Sequence, residues 1–321
     1  MSKKKETISL SDLKGVGPAV LEKLEGMGIV DLIGLIGTPI ATLSEGTGMS
    51  DVSVRKLVKQ ARDLIDPGFM TGEEFAKHAE RFFYITTGVK EFDAILGGGF
   101  RSGWLTECFG QFGSSKTQVA HQMSVNVQLP IDKGGQGENA VSVYLDSEGT
   151  FTPQRIHDMA VGKNLNPNRV MQNVRVAKAK NTDDLSFKIE KVVDLIVKDK
   201  VNVKLVVVDS LTAHFRAEFA GRGTLADRQQ KLNRMMHMLM RLADEYNVVV
   251  YVTNQVMSKP DSFYGDPIEA IGGNIVGHNS AYRIYLRPGK AGSRVAKLVN
   301  SPDRADAACA FMVDGCGLMD L

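Results

Sequence analysis

The stretch "GQFGSSKT", residues 110–117, decides how this chain is read. A phosphate-binding loop has the form G-x-x-x-x-G-K-[ST]. Its glycines let backbone N–H groups crowd around phosphate oxygens, its lysine reaches the β- and γ-phosphates, and its hydroxyl holds Mg2+. Gly110, Lys116 and Thr117 stand in register with that form, whereas Ser115 occupies the place of the last glycine. The surrounding "GWLTECFGQFGSSKTQVAHQM" reads as strand, glycine-rich loop and helix, the context such a loop requires.

Working outward, the chain has an α/β pattern from about residue 82. Short apolar strand candidates "VSVYLD" (141–146), "VRVAKA" (174–179), "VKLVVVDS" (203–210) and "VVVYVTNQ" (248–255) alternate with helical segments near 117–128, 182–199 and 225–246. The last helix places Leu225, Leu232, Leu239 and Tyr246 on one face, which is core spacing. Continuous β-branched runs between helices predict a mostly parallel sheet covered on both faces. After residue 281, "AYRIYLRPGKAGSRVAKLV" reads as two strands and a turn, an antiparallel extension. Polar groups end several strands, on the ligand edge of an open α/β sheet. Asp209, after "LVVV", is the acid expected to order a Mg2+ shell. Glu148, in "YLDSEGTF", is placed to polarise an attacking water, and Gln255, in "TNQ", to sense a γ-phosphate.

Before residue 65 the punctuation changes. "LKGVGPAVLEKLEGMGI" (13–29) reads as helix, Gly-Val-Gly turn and helix, and "LSEGTGMSDVSVRKLVKQA" (43–61) as a second such unit or an ordinary helical turn. In the first, Gly15 and Gly17 permit the turn, and amides at the next helix start can meet a phosphate. Residues 66–81 form a mostly polar tether, broken from the preceding helix at Pro67 and Gly68 and carrying Phe69. That aromatic needs a cover, either on its own domain or on an adjacent subunit. The expected organisation is 1–65, a 66–81 linker, and an 82–321 core.

A length of 321 residues exceeds what one core usually serves. Hydrophobic content of 43% and charge of 24% are those of a soluble globular chain. No apolar run approaches a membrane span, and "MSKKKE" lacks the apolar core of a signal peptide, so a cytoplasmic protein is expected. Cys108, Cys309 and Cys316 form no CxxC, which argues for a reducing compartment, against zinc, and for three small core residues. The net charge of +2 does not announce a nucleic-acid partner. Basic charge is instead local: Arg216, Arg222, Arg228, Lys231, Arg234 and Arg241 in one segment, Arg283, Arg287, Lys290, Arg294, Lys297 and Arg304 in another.

"GQFGSSKTQ", "LDSEGTFTPQRI", "LVVVDSLTAHFRAEFAGRGTLADRQQKL", "VTNQVMSKPDSFYG" and "IGGNIVGH", in that order, resemble the archaeal RadA recombinases, relatives of bacterial RecA. The resemblance runs almost the full length. It implies a RecA-like P-loop ATPase core with a mostly parallel central sheet, preceded by a small all-α helix-hairpin-helix domain. Gly110, Gln111, Phe112, Gly113, Ser114, Ser115, Lys116, Thr117 and Gln118 would then hold ATP, with Mg2+ on Thr117 and the Asp209 shell. Glu148, Lys116 and Gln255 would be the catalytic set, and Arg155 would lie by the adenine, where a guanidinium plane stacks well. A first DNA loop would present Arg216, Arg222 and Arg228. A second, "MSKPDSFYGDPIEAIGG", would present Lys259, Phe263, Gly272, Gly273 and Asn274. His278 would couple the γ-phosphate to that second loop, and Phe69 would plug into the next subunit of a helical filament or ring.

The chain also departs from that pattern. Ser115 replaces a glycine, and Asn300 stands where the family usually has Asp in a segment capping the neighbour's ATP, at a place for K+ or Ca2+. Ala308 replaces a frequent Glu. The expected activity is a DNA-dependent ATPase that pairs single-stranded DNA with a homologous duplex, with recombination mediators as further partners. A scaffold paralogue with weak or no ATPase is the alternative that Ser115 and Asn300 favour. The two "GRG" and "GGN" loops speak against a ring motor.

Overall fold

A computed structural model describes residues 9–65, 68–219, 221–258 and 268–321. The chain divides into two compact units, Met1–Glu80 with Val193–Lys200, and Arg81–Val192 with Val201–Leu321.

In the N-terminal unit, Ser9 and Asp12 close a capping box over a 3-10 turn, Leu10–Asp12. Gly15 takes φ +98°, and Gly17 and Pro18 open helix α1 (Pro18–Gly26). The helix expected before the Gly15 turn is therefore that single 3-10 turn. Helices α2 (Leu32–Gly37), α3 (Ile40–Thr47) and α4 (Asp51–Ile65) follow. Leu24, Leu35, Leu43 and Leu57 meet in their shared core. The tether is less plain than its polarity suggested, because Thr71 and Glu74 form a capping box that starts α5 (Gly72–Ala79).

The second unit opens with β1 (Tyr84–Ile85), α6 (Lys90–Leu96) and β2 (Phe100–Arg101), then β3 (Leu105–Phe109), α7 (Lys116–Asn126), β4 (Val141–Asp146), α8 (Pro153–Gly162) and α9 (Pro167–Gln172). The chain continues through β5 (Val174–Lys178), α10 (Thr182–Val197, counted with the N-terminal unit from Val193 on), β6 (Val203–Asp209), α11 (Ala213–Glu218), α12 (Leu225–Tyr246), β7 (Val249–Asn254), β8 (Val256–Ser258) and β9 (Ile268–Ala270). Helix α13 (Gly273–Asn279) and strands β10 (Tyr282–Pro288), β11 (Arg294–Asn300), β12 (Ala307–Asp314) and β13 (Gly317–Met319) complete it.

Among the described residues, nine strands form one sheet in the order β13-β12-β11-β10-β3-β7-β6-β4-β5. From β10 to β5 neighbours run parallel, and β10 to β13 are joined antiparallel. Every residue of β3, β4 and β7 is buried, as the continuous apolar runs require. Phe92, Phe100, Tyr144, Tyr251 and Phe311 join that core.

Two sequence readings need correction. Leu225 is 49% exposed while Leu232 and Leu239 are buried, because the first turns of α12 run beyond the core and carry no buried side chain. Cys108 and Cys309 are buried, but Cys316 is exposed in the turn between β12 and β13.

Candidate nucleotide-binding site

Strand β3 delivers the chain into the loop of residues 110–115, and α7 carries it away. At Gly110 a Cβ would lie 2.1 Å from the Leu286 carbonyl oxygen, so only glycine fits. Gly113 and Ser115 both take positive φ, +76° and +77°. For Ser115 that conformation costs about 1–2 kcal/mol. The Lys116 ammonium donates to the carbonyls of Gly110 (2.8 Å) and Gln111 (3.0 Å). Burial lowers its pKa, and the Asp209 and Glu148 carboxylates oppose that shift. Gly110, Ser114, Thr117 and Gln118 line a cavity of ≈ 830 Å³, and Phe112 at its mouth is fully exposed. A loop that excludes any Cβ at Gly110 and places a lysine at the helix start fits a triphosphate.

The acids come from neighbouring strand ends. Register sets Asp146 of β4 beside Asp209 of β6. Asp209 is 1% exposed, and its two oxygens accept from the Tyr144 hydroxyl at 2.6 Å and from Thr253 Oγ1. Burial first, then the Asp209 charge, raises the Tyr144 pKa well above its usual value, so the phenol keeps its proton. With both oxygens held by protein donors, Asp209 would suit an outer role beside a Mg2+, ordering its water while the Thr117 hydroxyl would be available as a ligand. Asp146, to which sequence reading gave no role, accepts the N–H of Gly149 at 2.7 Å and those of Glu148, Thr150 and Phe151 at 3.2 Å. This carboxylate folds the loop that carries Glu148. Its signal in the sequence was its place at a strand end, two residues before the catalytic candidate.

Glu148 Oε1 accepts from Gln255 Nε2 at 2.8 Å, and Gln255 Oε1 accepts from Arg216 Nη1 at 2.6 Å. Glu148 and Gln255 line the phosphate cavity and also a neighbouring cavity of ≈ 530 Å³ shared with Arg216. A continuous hydrogen-bonded row therefore leads from the first basic loop to the candidate catalytic carboxylate. Arg155 also lines the phosphate cavity, its guanidinium fixed by Gln118 Oε1 (2.7 Å) and the carbonyls of Gly315 (2.6 Å) and Asp314 (2.7 Å). His121 of α7 shares the wall. Burial lowers its pKa to about 4, and the neutral ring accepts the Thr152 N–H through Nε2 at 3.2 Å.

Behind the site lies a network that motif reading missed. Register places Arg283 of β10 beside Glu107 of β3, and Arg283 Nε donates to Glu107 Oε2 at 2.6 Å. Asn254 Nδ2 donates to Glu107 Oε1 (2.7 Å) and to the Ile271 carbonyl (2.6 Å), while Thr212 donates to Asn254 Oδ1 (2.7 Å). No sequence motif marks these residues, since the pairing depends on which strands become neighbours.

Other candidates fall elsewhere. His278 lines a separate cavity with Trp104, His237 and Arg241, and neither it nor Asn300, at the exposed end of β11, lines the phosphate cavity of its own chain. Arg216 is exposed on α11, Arg228 is half-buried on α12, and Arg222 begins a 3-10 turn. Gly272 and Gly273 take φ +90° and +51° at the start of α13, which also contains Asn274. Strands β8 and β9 pair antiparallel, joining the two ends of the second loop. Lys259 and Phe263 lie outside the described residues. Phe69, in the N-terminal unit, is fully exposed. No helix among the described residues is long and apolar enough to cross a membrane.

A phosphate loop between β3 and α7, acids on adjacent parallel strands and an antiparallel extension define a P-loop ATPase core of the RecA type. The sequence profile of the Rad51 family matches residues 78–321. The chain belongs to the Rad51 family. It is 43% identical over 317 residues to the DNA repair and recombination protein RadA of Aeropyrum pernix, covering 99% of this chain and 98% of that one. It is 42% identical over 320 residues to the protein of the same name from Metallosphaera sedula, covering 100% and 98%. With that of Methanococcus maripaludis it shares 44% over 319 residues, covering 97% and 99%.

Proposed function

We propose that this protein is a DNA-dependent ATPase that assembles on single-stranded DNA and exchanges it with a homologous duplex in recombinational repair. The observation that carries the reading is the row Arg216–Gln255–Glu148, which ties a basic, glycine-containing segment to the carboxylate facing the phosphate cavity. Kinship with proteins named for DNA repair and recombination supports the same conclusion.

In this reading the loop amides and Lys116 grip the triphosphate, and Glu148 accepts a proton from the attacking water. Mg2+, held by Thr117 and oriented through Asp209, would neutralise charge developing on the phosphates. Arg216, Arg222 and Arg228 track the DNA backbone, with Lys259, Phe263, Gly272, Gly273 and Asn274 on the second loop, and bases stay free to pair. Residues 1–65 act as a helix-hairpin-helix module and 66–81 as the tether bearing the polymerisation residue. His278 and Asn300 act on a neighbour's nucleotide, with K+ or Ca2+ at that boundary. A scaffold paralogue is disfavoured because Lys116, Glu148 and Asp209 are all present and placed together.

Steady-state ATP hydrolysis with and without single-stranded DNA tests the reading, beside a strand-exchange assay on a homologous duplex. DNA should raise turnover at least about tenfold, a drop of ~1.4 kcal/mol in barrier. Lys116→Ala should abolish ATP binding, because the triphosphate loses its nearest fixed cation. Turnover indifferent to DNA, with no strand exchange, would sink the proposal.

A further inference from the structure

Ser115 does not cap the helix that it precedes. Its hydroxyl instead accepts a hydrogen bond from Arg294 Nε at 3.0 Å, across 179 residues of sequence. Arg294 is the first residue of β11, and its Nη1 donates to the carbonyls of Gly292 (2.8 Å) and Ser293 (3.0 Å). Two of the three guanidinium nitrogens are thus spoken for by fixed oxygens. Nη2 has no protein partner among the described residues, and no carboxylate there lies within ion-pair distance of the side chain. The side chain is half-buried in the wall of the phosphate cavity. A cation held on one edge, with no carboxylate beside it, in the wall of a cavity lined by the phosphate loop is placed to meet a negatively charged group of a ligand.

We propose that Arg294 is a phosphate-positioning residue of the nucleotide site, held in place by the Ser115 hydroxyl. Ser115 is then a working part of the phosphate loop. A glycine there would relieve the left-handed strain but leave Arg294 without the oxygen that orients Nε. The proposal deepens the ATPase reading and rests on it. The ligand chemistry is that of a nucleoside di- or triphosphate, where charge lies near the loop.

A double-mutant cycle on nucleotide affinity tests the pair, with a fluorescent ATP analogue titrated in Mg2+ over a range of KCl concentrations. Arg294→Gln should weaken binding about tenfold, the size expected for one hydrogen-bonded charge, and flatten the dependence of log Kd on log salt. Arg294→Lys should restore that dependence, since it restores the charge, while recovering only part of the affinity. Ser115→Ala should weaken binding several-fold in the wild-type background and have no effect once Arg294 is Gln. Urea unfolding curves show which variants are folded, and if Arg294→Gln is not, the Ser115→Ala and Arg294→Lys pair forms the cycle. Wild-type affinity and salt dependence in Arg294→Gln would overturn the role of Arg294, and additive effects of the two substitutions would overturn its support by Ser115, in both cases leaving the ATPase reading standing. A wild-type protein that does not bind the analogue would overturn the ATPase reading as well.

Discussion

Gln255 lines two cavities at once, a placement its sequence could only hint at. Its amide accepts from Arg216 through Oε1 and donates to Glu148 through Nε2, so neither bond can shift without affecting the other. If DNA phosphates draw Arg216 away, the Gln255 amide is released and Glu148 changes partner. Gln255→Ala should therefore keep ATP affinity within about twofold of wild type while DNA stimulation of hydrolysis falls about tenfold or more, a loss of ~1.4 kcal/mol or greater. Arg216→Ala should lose the same stimulation and bind single-stranded DNA more weakly, with a shallower salt dependence. Both are read from ATP titrations and hydrolysis rates with and without poly-dT. Full stimulation in Gln255→Ala would mean that coupling runs by another route. At this scale the sequence was legible where the signal is local: residues 110–117, Glu148 and Asp209, singled out by their immediate neighbours, line one cavity. Arg294 carried no such signal, because its partner Ser115 is brought near only by the sheet.

Strands and helices were easier to read than the contacts between them. "VSVYLD" is β4 at both ends, and 225–246 is α12 at both ends, because continuous burial and helical periodicity leave a strong pattern. Exposed Leu225 shows the limit, since periodicity does not reveal how far a helix outruns its core. Hidden too was the clamp between β3, β7 and β10, where Glu107 is fully buried and depends on Arg283 and Asn254 for its charge to be tolerated. Removing one partner from a buried ion pair costs more than removing both. Arg283→Met should destabilise the folded protein by roughly 3–5 kcal/mol, and adding Glu107→Leu should recover most of that loss. Urea unfolding of the single and double variants measures it. A double variant no more stable than Arg283→Met would show that the strands are held together by something other than this charge pair.

For the whole molecule the open matter is Phe69. Among the described residues nothing covers it, its exposure being 105%, and it stands three residues before α5. Water contact over a whole phenyl ring is unfavourable by about 1.5–3 kcal/mol relative to burial, so a second copy that covers it gains that much per interface. If the surface that receives the ring is a different patch, the contact is heterologous, and repeated contacts build an open helical array unless the rotation closes a ring. Phe69→Ala should then lower the association constant between subunits by roughly ten- to a hundredfold. In size-exclusion chromatography at micromolar concentration the variant should elute as monomers or short oligomers where wild type elutes as a large assembly. Urea unfolding serves as the control, showing that the variant is folded as wild type is. Tryptophan at the same position should retain assembly if the receiving surface is an apolar pocket with room to spare, and lose it if the pocket fits phenyl closely. Co-elution of Phe69→Ala with wild type would return the side chain to an ordinary exposed aromatic, and the filament would have to be built from some other surface.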